Sequence, residues 1–369
     1  MRIETIELRR VAIPLVSPFR TSFGTDTVRD ALLVHVRSDE AEGWGECVAD
    51  REPLYSAEWA DGAQAVLRRF LVPRALADGD ALTAARVGML LADVEGHPMA
   101  KGALEMAILD AELRAADQSF AEHLGAVRQY VDCGVSVGIH DSVSKLLDTV
   151  EGYLTDGYQR VKLKIEPGHD VAPVRAVRER FGDSLALQVD ANAAYTRDDT
   201  DAMRALDEFD LVLIEQPLPP EDLLGHAALA RALQTPICLD ESITSARGAA
   251  DAIELGACTI VNIKAGRVGG YLEAKRVHDV CAERDIPVWC GGMLETGLGR
   301  AANVALAALP NFLLPGDTSA SARYFARDLT PPFVLDAGRL AVPAGPGLGV
   351  VPDPDALAEF TTAVERLHP

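Results

Sequence analysis

Apolar and polar residues alternate with period two over Ile3–Pro14 and again over Ala31–Ser38, and a third short run follows near Gly43–Cys47. That period sends successive side chains to opposite faces, so each run is predicted to be a strand. The rhythm then changes. Ser56–Leu71, Thr83–Leu91 and Lys101–Asp117 carry helical spacing, and the last of these is rich in strong helix formers. From about residue 130 short apolar runs alternate with helical stretches. Strands are predicted at Val131–Gly138, Arg160–Ile165, Leu185–Asp190, Leu211–Glu215, Pro236–Asp240, Thr259–Lys264, Pro287–Gly291 and Asn311–Pro315.

Strands alternating with helices make a parallel sheet. The unbroken apolarity of LVLI, ICL and TIV means that both faces of that sheet are covered. Eight such strands suggest closure into a barrel. An open doubly wound sheet would carry a glycine-rich phosphate loop after its first strand, and Val131–His140 holds no GxGxxG. The first seven strands are each followed by a helical stretch, while residues 317 to about 350 are rich in Pro and Gly. The tail is expected to run back over the N-terminal block, with Ala356–Leu367 as a closing helix. The predicted fold class is α/β: a modified (β/α)7β barrel over residues 126–320, an α+β capping domain over 1–125, and a tail, 321–369, that returns to the cap.

Composition narrows the function. At 369 residues with 48% hydrophobic content, the chain can build one large domain and a smaller one. Its 35 basic and 56 acidic residues give a net charge of −21, which argues against nucleic acid as a partner. No apolar stretch has the length of a membrane span. The segment MRIETIELRRVAIPL lacks the apolar block of a signal peptide. The six cysteines form no CxxC pair and several sit in apolar runs, so they are read as buried thiols in a reducing cytoplasm.

Five ionisable residues recur at steps of 26, 25, 25 and 24: Lys164, Asp190, Glu215, Asp240 and Lys264. Each falls at a predicted strand end, where barrels carry their active groups. Strands two and six of eight stand opposite one another, so the lysines should face each other with the three acids on the arc between them. Singly, such an acid reads as a helix cap or a solvated loop residue. In register on consecutive repeats, the five read as an enzyme site. Three converging carboxylates demand a positive partner. An all-oxygen set favours Mg²⁺, with Mn²⁺ or another divalent cation as substitutes, and the absence of HxxxH and CxxC weighs against zinc.

Lys162 should lie one layer below Lys164 on the same strand face, and its charge together with burial should lower the Lys164 pKa toward that of a base. Asn262 bears the same relation to Lys264, and Arg267 follows three residues later; either is a candidate to orient or tune that lysine. The GRVGG run, Gly266–Gly270, is read as a tight turn where backbone passes close to substrate. Gly291 and Gly292, before Met293, are read as keeping the pocket open.

The segments KLKIEP, QVDANAAY, LIEQPL, ICLDESI, VNIKAGRVGG and CGGMLETGLGRAANVALA resemble the enolase superfamily in its muconate lactonizing subgroup. The resemblance is nearest to the N-acylamino acid racemase and o-succinylbenzoate synthase group, and PFRTSFGT, GWGEC, MAKGALEMAILDAELRA and LPGDTSAS extend it over the whole chain. It implies that Asp190, Glu215 and Asp240 hold Mg²⁺ and that Lys164 and Lys264 form an acid/base pair on opposite faces of the substrate. It further implies that Phe19–Gly24 and Asp50–Tyr55 close over the pocket, with Phe19, Phe23, Asp50, Tyr55, Ser136, Asn192, Gly291, Gly292 and Met293 at the substrate. Mandelate-racemase-like members carry His where Lys264 stands. Dipeptide epimerases carry Asp-x-Asp where this chain reads Gly316–Asp317–Thr318, so an N-acylated substrate is expected. Ala265 stands where close relatives have Pro, a change in turn stiffness.

The implied reaction is Mg²⁺-dependent removal of the proton α to a carboxylate through an enediolate. Its output is racemisation of N-acyl (N-succinyl) amino acids, dehydration to o-succinylbenzoate in menaquinone biosynthesis, or both. Muconate-type lactonisation is the alternative enzyme, and a catalytically silent binding barrel is the alternative outside catalysis. The expected partners are a small carboxylate substrate and further copies of the chain.

Overall fold

In the computed structural model, which describes all 369 residues, the N-terminal alternation forms an antiparallel sheet in the order β13-β1-β2-β3. Its strands are β1 (Ile3–Arg20), β2 (Thr25–Ser38), β3 (Glu42–Cys47) and β13 (Thr361–Leu367). β1 and β2 run further than the apolar pattern. After a register shift between Pro14 and Phe19, they pair again as Phe19 with Asp26 and Arg20 with Thr25. The helix Pro98–Ala115 lies across this sheet and buries 13 of its residues. The glycines of GWGEC make that contact possible. A Cβ on Gly43 would strike the Ala107 carbonyl, and one on Gly45 the Ala103 carbonyl.

The second half forms a parallel sheet of seven strands in the order β11-β10-β9-β8-β7-β6-β5. These are β5 (Gly134–Val137), β6 (Arg160–Lys164), β7 (Ala186–Asp190), β8 (Ile214–Glu215), β9 (Ile237–Leu239), β10 (Ile260–Ile263) and β11 (Val288–Cys290). Period two sorts their side chains. Val161, Leu163, Leu187, Val189, Val261 and Ile263 join the main core, whereas Leu213, Cys238, Ile260 and Trp289 form a separate small cluster. Trp289 is fully buried, with its ring 4.8 Å from Lys162 Nζ and 5.0 Å from Arg160 Cζ.

Three predicted elements differ. Val131–Gly138 divides: β4 (Tyr130–Asp132) pairs antiparallel with β12 (Arg339–Ala341), and only β5 enters the barrel sheet. Asn311–Pro315 forms no regular strand, and Pro315 has no N–H to give a ladder. It spans the seam instead: Leu313 N–H donates to Val288 (3.1 Å), Asp317 N–H to Cys290 (2.8 Å), and Gly134 N–H to Gly316 (2.7 Å). Ala356–Leu367 is helical only to Phe360. The Asp353 carboxylate caps the helix Pro354–Phe360, and the β-branched Thr361, Thr362 and Val364 then turn it into β13, which pairs with β1.

Cap and barrel meet through carboxylates at helix N-termini. Glu46 on β3 accepts the backbone N–H groups of Thr296 (3.1 Å) and Gly299 (3.0 Å) and the Thr296 hydroxyl (2.7 Å), at the start of the helix Gly297–Ala307. Glu105 accepts the Leu272 N–H (3.1 Å) at the start of the helix Tyr271–Ala282. Each satisfies N–H groups that a helix leaves unpaired and meets the positive end of its dipole. The GRVGG run belongs to this interface: a Cβ on Gly266 would strike Val48, and one on Gly270 the Glu105 carboxylate. The close approach that the sequence suggested is therefore to the cap, not to substrate. All six cysteines are unpaired and buried, and no helix is long and apolar enough to cross a membrane.

Candidate active site

The five ionisable residues meet at the C-terminal ends of β6 to β10. Parallel register sets Lys164 beside Asp190 and Asp190 beside Glu215. Asp240 and Lys264 follow β9 and β10 by one residue. None of the five is more than 8% exposed. Lys164 Nζ donates to Asp190 Oδ2 (2.6 Å) and Asn192 Oδ1 (2.6 Å). Lys264 Nζ donates to Asp240 Oδ2 (2.8 Å) and the Tyr55 hydroxyl (3.3 Å).

Their neighbours complete the charge balance. Lys162 reaches Asp317 (2.7 Å), Glu215 (3.1 Å) and Asp190 (3.2 Å). Asn262 donates to Glu215 (2.6 Å) and so holds an acid where the sequence suggested it would orient Lys264. Arg267 pairs with Asp240 and donates to the Ile243 and Asn262 carbonyls, both at 2.7 Å. Buried ions persist when paired and hydrogen-bonded in this way. The acid oxygens are taken up by these side chains and by the Asn192 backbone N–H, and no three His, Cys, Asp or Glu side chains converge as a finished coordination sphere. The donor set itself, three carboxylates without sulfur or imidazole on successive strand ends, fits a hard divalent cation.

The two lysines differ electrostatically. Burial pushes the Lys164 pKa below its ordinary value; Asp190 resists the fall and Lys162 deepens it. Burial also disfavours charge on Lys264, but Tyr55, Glu241, Glu215 and Asp190 together hold its pKa above the ordinary value. The acids divide too. Against the effect of burial, Lys164 and Lys162 keep Asp190 well below the carboxylate range, while burial and the charge of Asp190 raise Glu215.

Both lysines line one pocket. The cap contributes Phe19, Phe23, Asp50 and Tyr55, and the barrel Ser136, Asn192, Gly292 and Met293. Phe19 sits edge-on to Tyr324 and Phe23 leans on Tyr55, each with ring centres 6.3 Å apart. The Ser136 hydroxyl is buried without a partner. Gly291 lies behind the wall: a Cβ there would strike the Asn262 amide and come within 2.8 Å of Lys264 Cε.

Several residues at the site carry no mark in the apolar pattern. Thr21, Asp26, Leu294 and Tyr324 also line the pocket. Gln216 ties two strand ends together. Its Oε1 accepts the N–H groups of Asp240 (3.0 Å) and Ser242 (3.1 Å), and its Nε2 donates to Ser242 (2.8 Å). Asn192, Ala193 and Gln216 take left-handed φ of 43°, 60° and 35°. Such strain costs about 1–3 kcal/mol per residue and gathers where side-chain aim matters. Asp317 is occupied on both oxygens, by Arg160 (2.8 Å) and Lys162 (2.7 Å), so it has little left for a substrate ammonium.

Residues 3–125 match the family model described as mandelate racemase / muconate lactonizing enzyme, N-terminal domain, and residues 145–356 the one described as enolase C-terminal domain-like. An N-succinylamino acid racemase from an Amycolatopsis species is 67% identical over 363 residues, 98% of either chain. An o-succinylbenzoate synthase from Geobacillus stearothermophilus is 45% identical over 370 residues, covering 100% of this chain and 98% of that one. The crystal structure of an enolase-superfamily member from Listeria innocua matches with a TM-score of 0.95 at 40% identity, covering 100% of this chain and 99% of that one.

Proposed function

Because this chain belongs to the mandelate racemase/muconate lactonizing enzyme family of the enolase superfamily, we propose that it moves protons at the carbon α to a carboxylate. In this reading it racemises N-succinyl amino acids and dehydrates the β-hydroxy acid precursor of o-succinylbenzoate. The names of its 67% and 45% identical relatives support these two outputs. The observation that carries the reading is a pair of lysines, one from each side of an acid-lined strand arc, opening into a single pocket.

In racemisation, the lysine that faces the Cα–H bond takes the proton on Nζ. The C–H electron pair moves into the carboxylate as an enediolate, and the second lysine gives a proton to the opposite face. In dehydration, one lysine takes the α-proton and returns it to the β-hydroxyl, which leaves as water while the enediolate electron pair forms the Cα–Cβ double bond; the other lysine, as an ammonium, faces the enediolate as a fixed cation. Family membership implies use of a divalent metal ion. Asp190, Glu215 and Asp240 would hold Mg²⁺, which when bound supplies positive charge against the charge growing on the substrate carboxylate. Phe19, Phe23 and Met293 would enclose the acyl or ring portion. An N-acylated substrate suits a pocket whose Asp317 is already paired. Six unpaired thiols suit the cytoplasm as the place of reaction.

The test is α-hydrogen exchange and racemisation of N-succinyl-L-phenylalanine with Mg²⁺ in deuterated water, followed by NMR and chirality. Both are expected to proceed, to stop with EDTA and to return with added Mg²⁺. Lys164→Ala and Lys264→Ala should each lower racemisation by roughly 10²–10⁴-fold. Full turnover in both variants would overturn the reading.

A further inference from the structure

We infer that Glu241 is a positioning residue for Lys164, acting through Asn192; this deepens the proposed function and rests on its two-base reading. A lysine amine is a tetrahedral nitrogen with donors only when charged. At Lys164 two of its directions are fixed, by Asp190 Oδ2 and by Asn192 Oδ1, both at 2.6 Å. In the neutral base two N–H bonds remain, and these two acceptors hold them. The lone pair is then left with the remaining direction, into the pocket that Lys164 lines.

That geometry requires Asn192 to present its oxygen to the lysine. Glu241 fixes the choice, because its Oε1 accepts Asn192 Nδ2 at 2.9 Å. The ammonium offers only donors and the carboxylate only acceptors, so one orientation of the amide satisfies both. The Asn192 backbone is held as well: its N–H donates to Asp190 Oδ1 at 3.0 Å, and its φ is 43°. Glu241 does not line the pocket beside the lysines, and its second oxygen is enclosed without a partner. Lys264 has its own hydrogen-bond partners, Asp240 Oδ2 and the Tyr55 hydroxyl, and feels Glu241 only through its charge. Loss of the Glu241 acceptor should therefore impair chemistry on the Lys164 face, whereas loss of its charge alone bears on the Lys264 face.

The experiment compares α-hydrogen exchange of N-succinyl-D-phenylalanine and N-succinyl-L-phenylalanine in deuterated water with Mg²⁺. Lys164→Ala is expected to silence exchange of one enantiomer and Lys264→Ala that of the other. Glu241→Met should slow the enantiomer that Lys164→Ala silences by about tenfold or more, the value of one hydrogen bond to a charged group. The other enantiomer should change to the same extent in Glu241→Met and Glu241→Gln, because both remove the charge that Lys264 feels, and its retained exchange also shows that the variants are folded. Glu241→Gln keeps the acceptor and loses the charge, so it should restore the slow face. A loss on the Lys164 face as large with Gln as with Met would mean that Glu241 acts there by its charge, and the inference would be wrong. Lysine variants without opposite enantiomer preferences would bring down the two-base reading, and this inference with it.

Discussion

Gly291 shows how much one missing methyl group controls here. The space beside it is occupied by the Asn262 amide and, 2.8 Å from an added Cβ, by Lys264 Cε. Gly291→Ala should therefore displace that lysine, costing about 1–3 kcal/mol by overpacking. Its kcat should fall by more than its KM rises, which thermal unfolding and steady-state kinetics of racemisation check together. The same scale shows what the sequence could say. Lys164, Asp190, Glu215, Asp240 and Lys264 were legible because ionisable groups interrupt apolar runs at a repeating step. Glu241 and Gln216 were not, since their roles are hydrogen bonds to neighbouring strand ends, and no local pattern marks a glutamine with left-handed φ. Asn262 could be placed on the right face of its strand, but which of two nearby groups it would reach depends on strand stagger.

Among the elements, the helix Tyr271–Ala282 is tied to the cap by Glu105, whose carboxyl burial pushes up to about 7 from an ordinary 4.5. The folded chain therefore holds this proton more tightly than the unfolded chain does. The stability that the group contributes is complete below pH 4.5 and is lost as pH rises through 7, by up to roughly 3 kcal/mol. Urea unfolding of the native protein and of Glu105→Gln at pH 5 and pH 8 checks it: the native protein should lose ground to the variant on going to pH 8. Period and apolarity revealed the barrel strands from β6 onward. They did not reveal that Val131–Gly138 splits between two sheets, that Asn311–Pro315 bridges a seam, or that Ala356–Leu367 changes from helix to strand. Each depends on what stands beside the segment in space, which the chain's own pattern does not contain.

For the molecule as a whole, the two ends of the chain are one piece of structure: Ile6 pairs with Leu367 and Arg10 with Ala363. Deleting residues 361–369 would leave the β1 edge unpaired, an invitation to intermolecular strand addition. At about 0.5–1.5 kcal/mol per lost backbone hydrogen bond, the truncated protein should be less stable by several kcal/mol. Size-exclusion chromatography and thermal unfolding should show aggregation and a lower Tm. A truncation that stayed dispersed at unchanged Tm would mean that β13 is dispensable. The parallel barrel could be read from the sequence because its strands repeat. The return of the tail could be read only in outline, because TTAVERL is too polar to announce a strand.

The carboxylates of Glu46 and Glu105 also bear on how such proteins can be recombined. A chimera that grafts a foreign cap onto this barrel, in the hope of changing which acyl group is accepted, would remove the terminators of two barrel helices along with the lid. Any donor must bring an acidic side chain to both places, or the recipient's own framework will fray beneath the new loops.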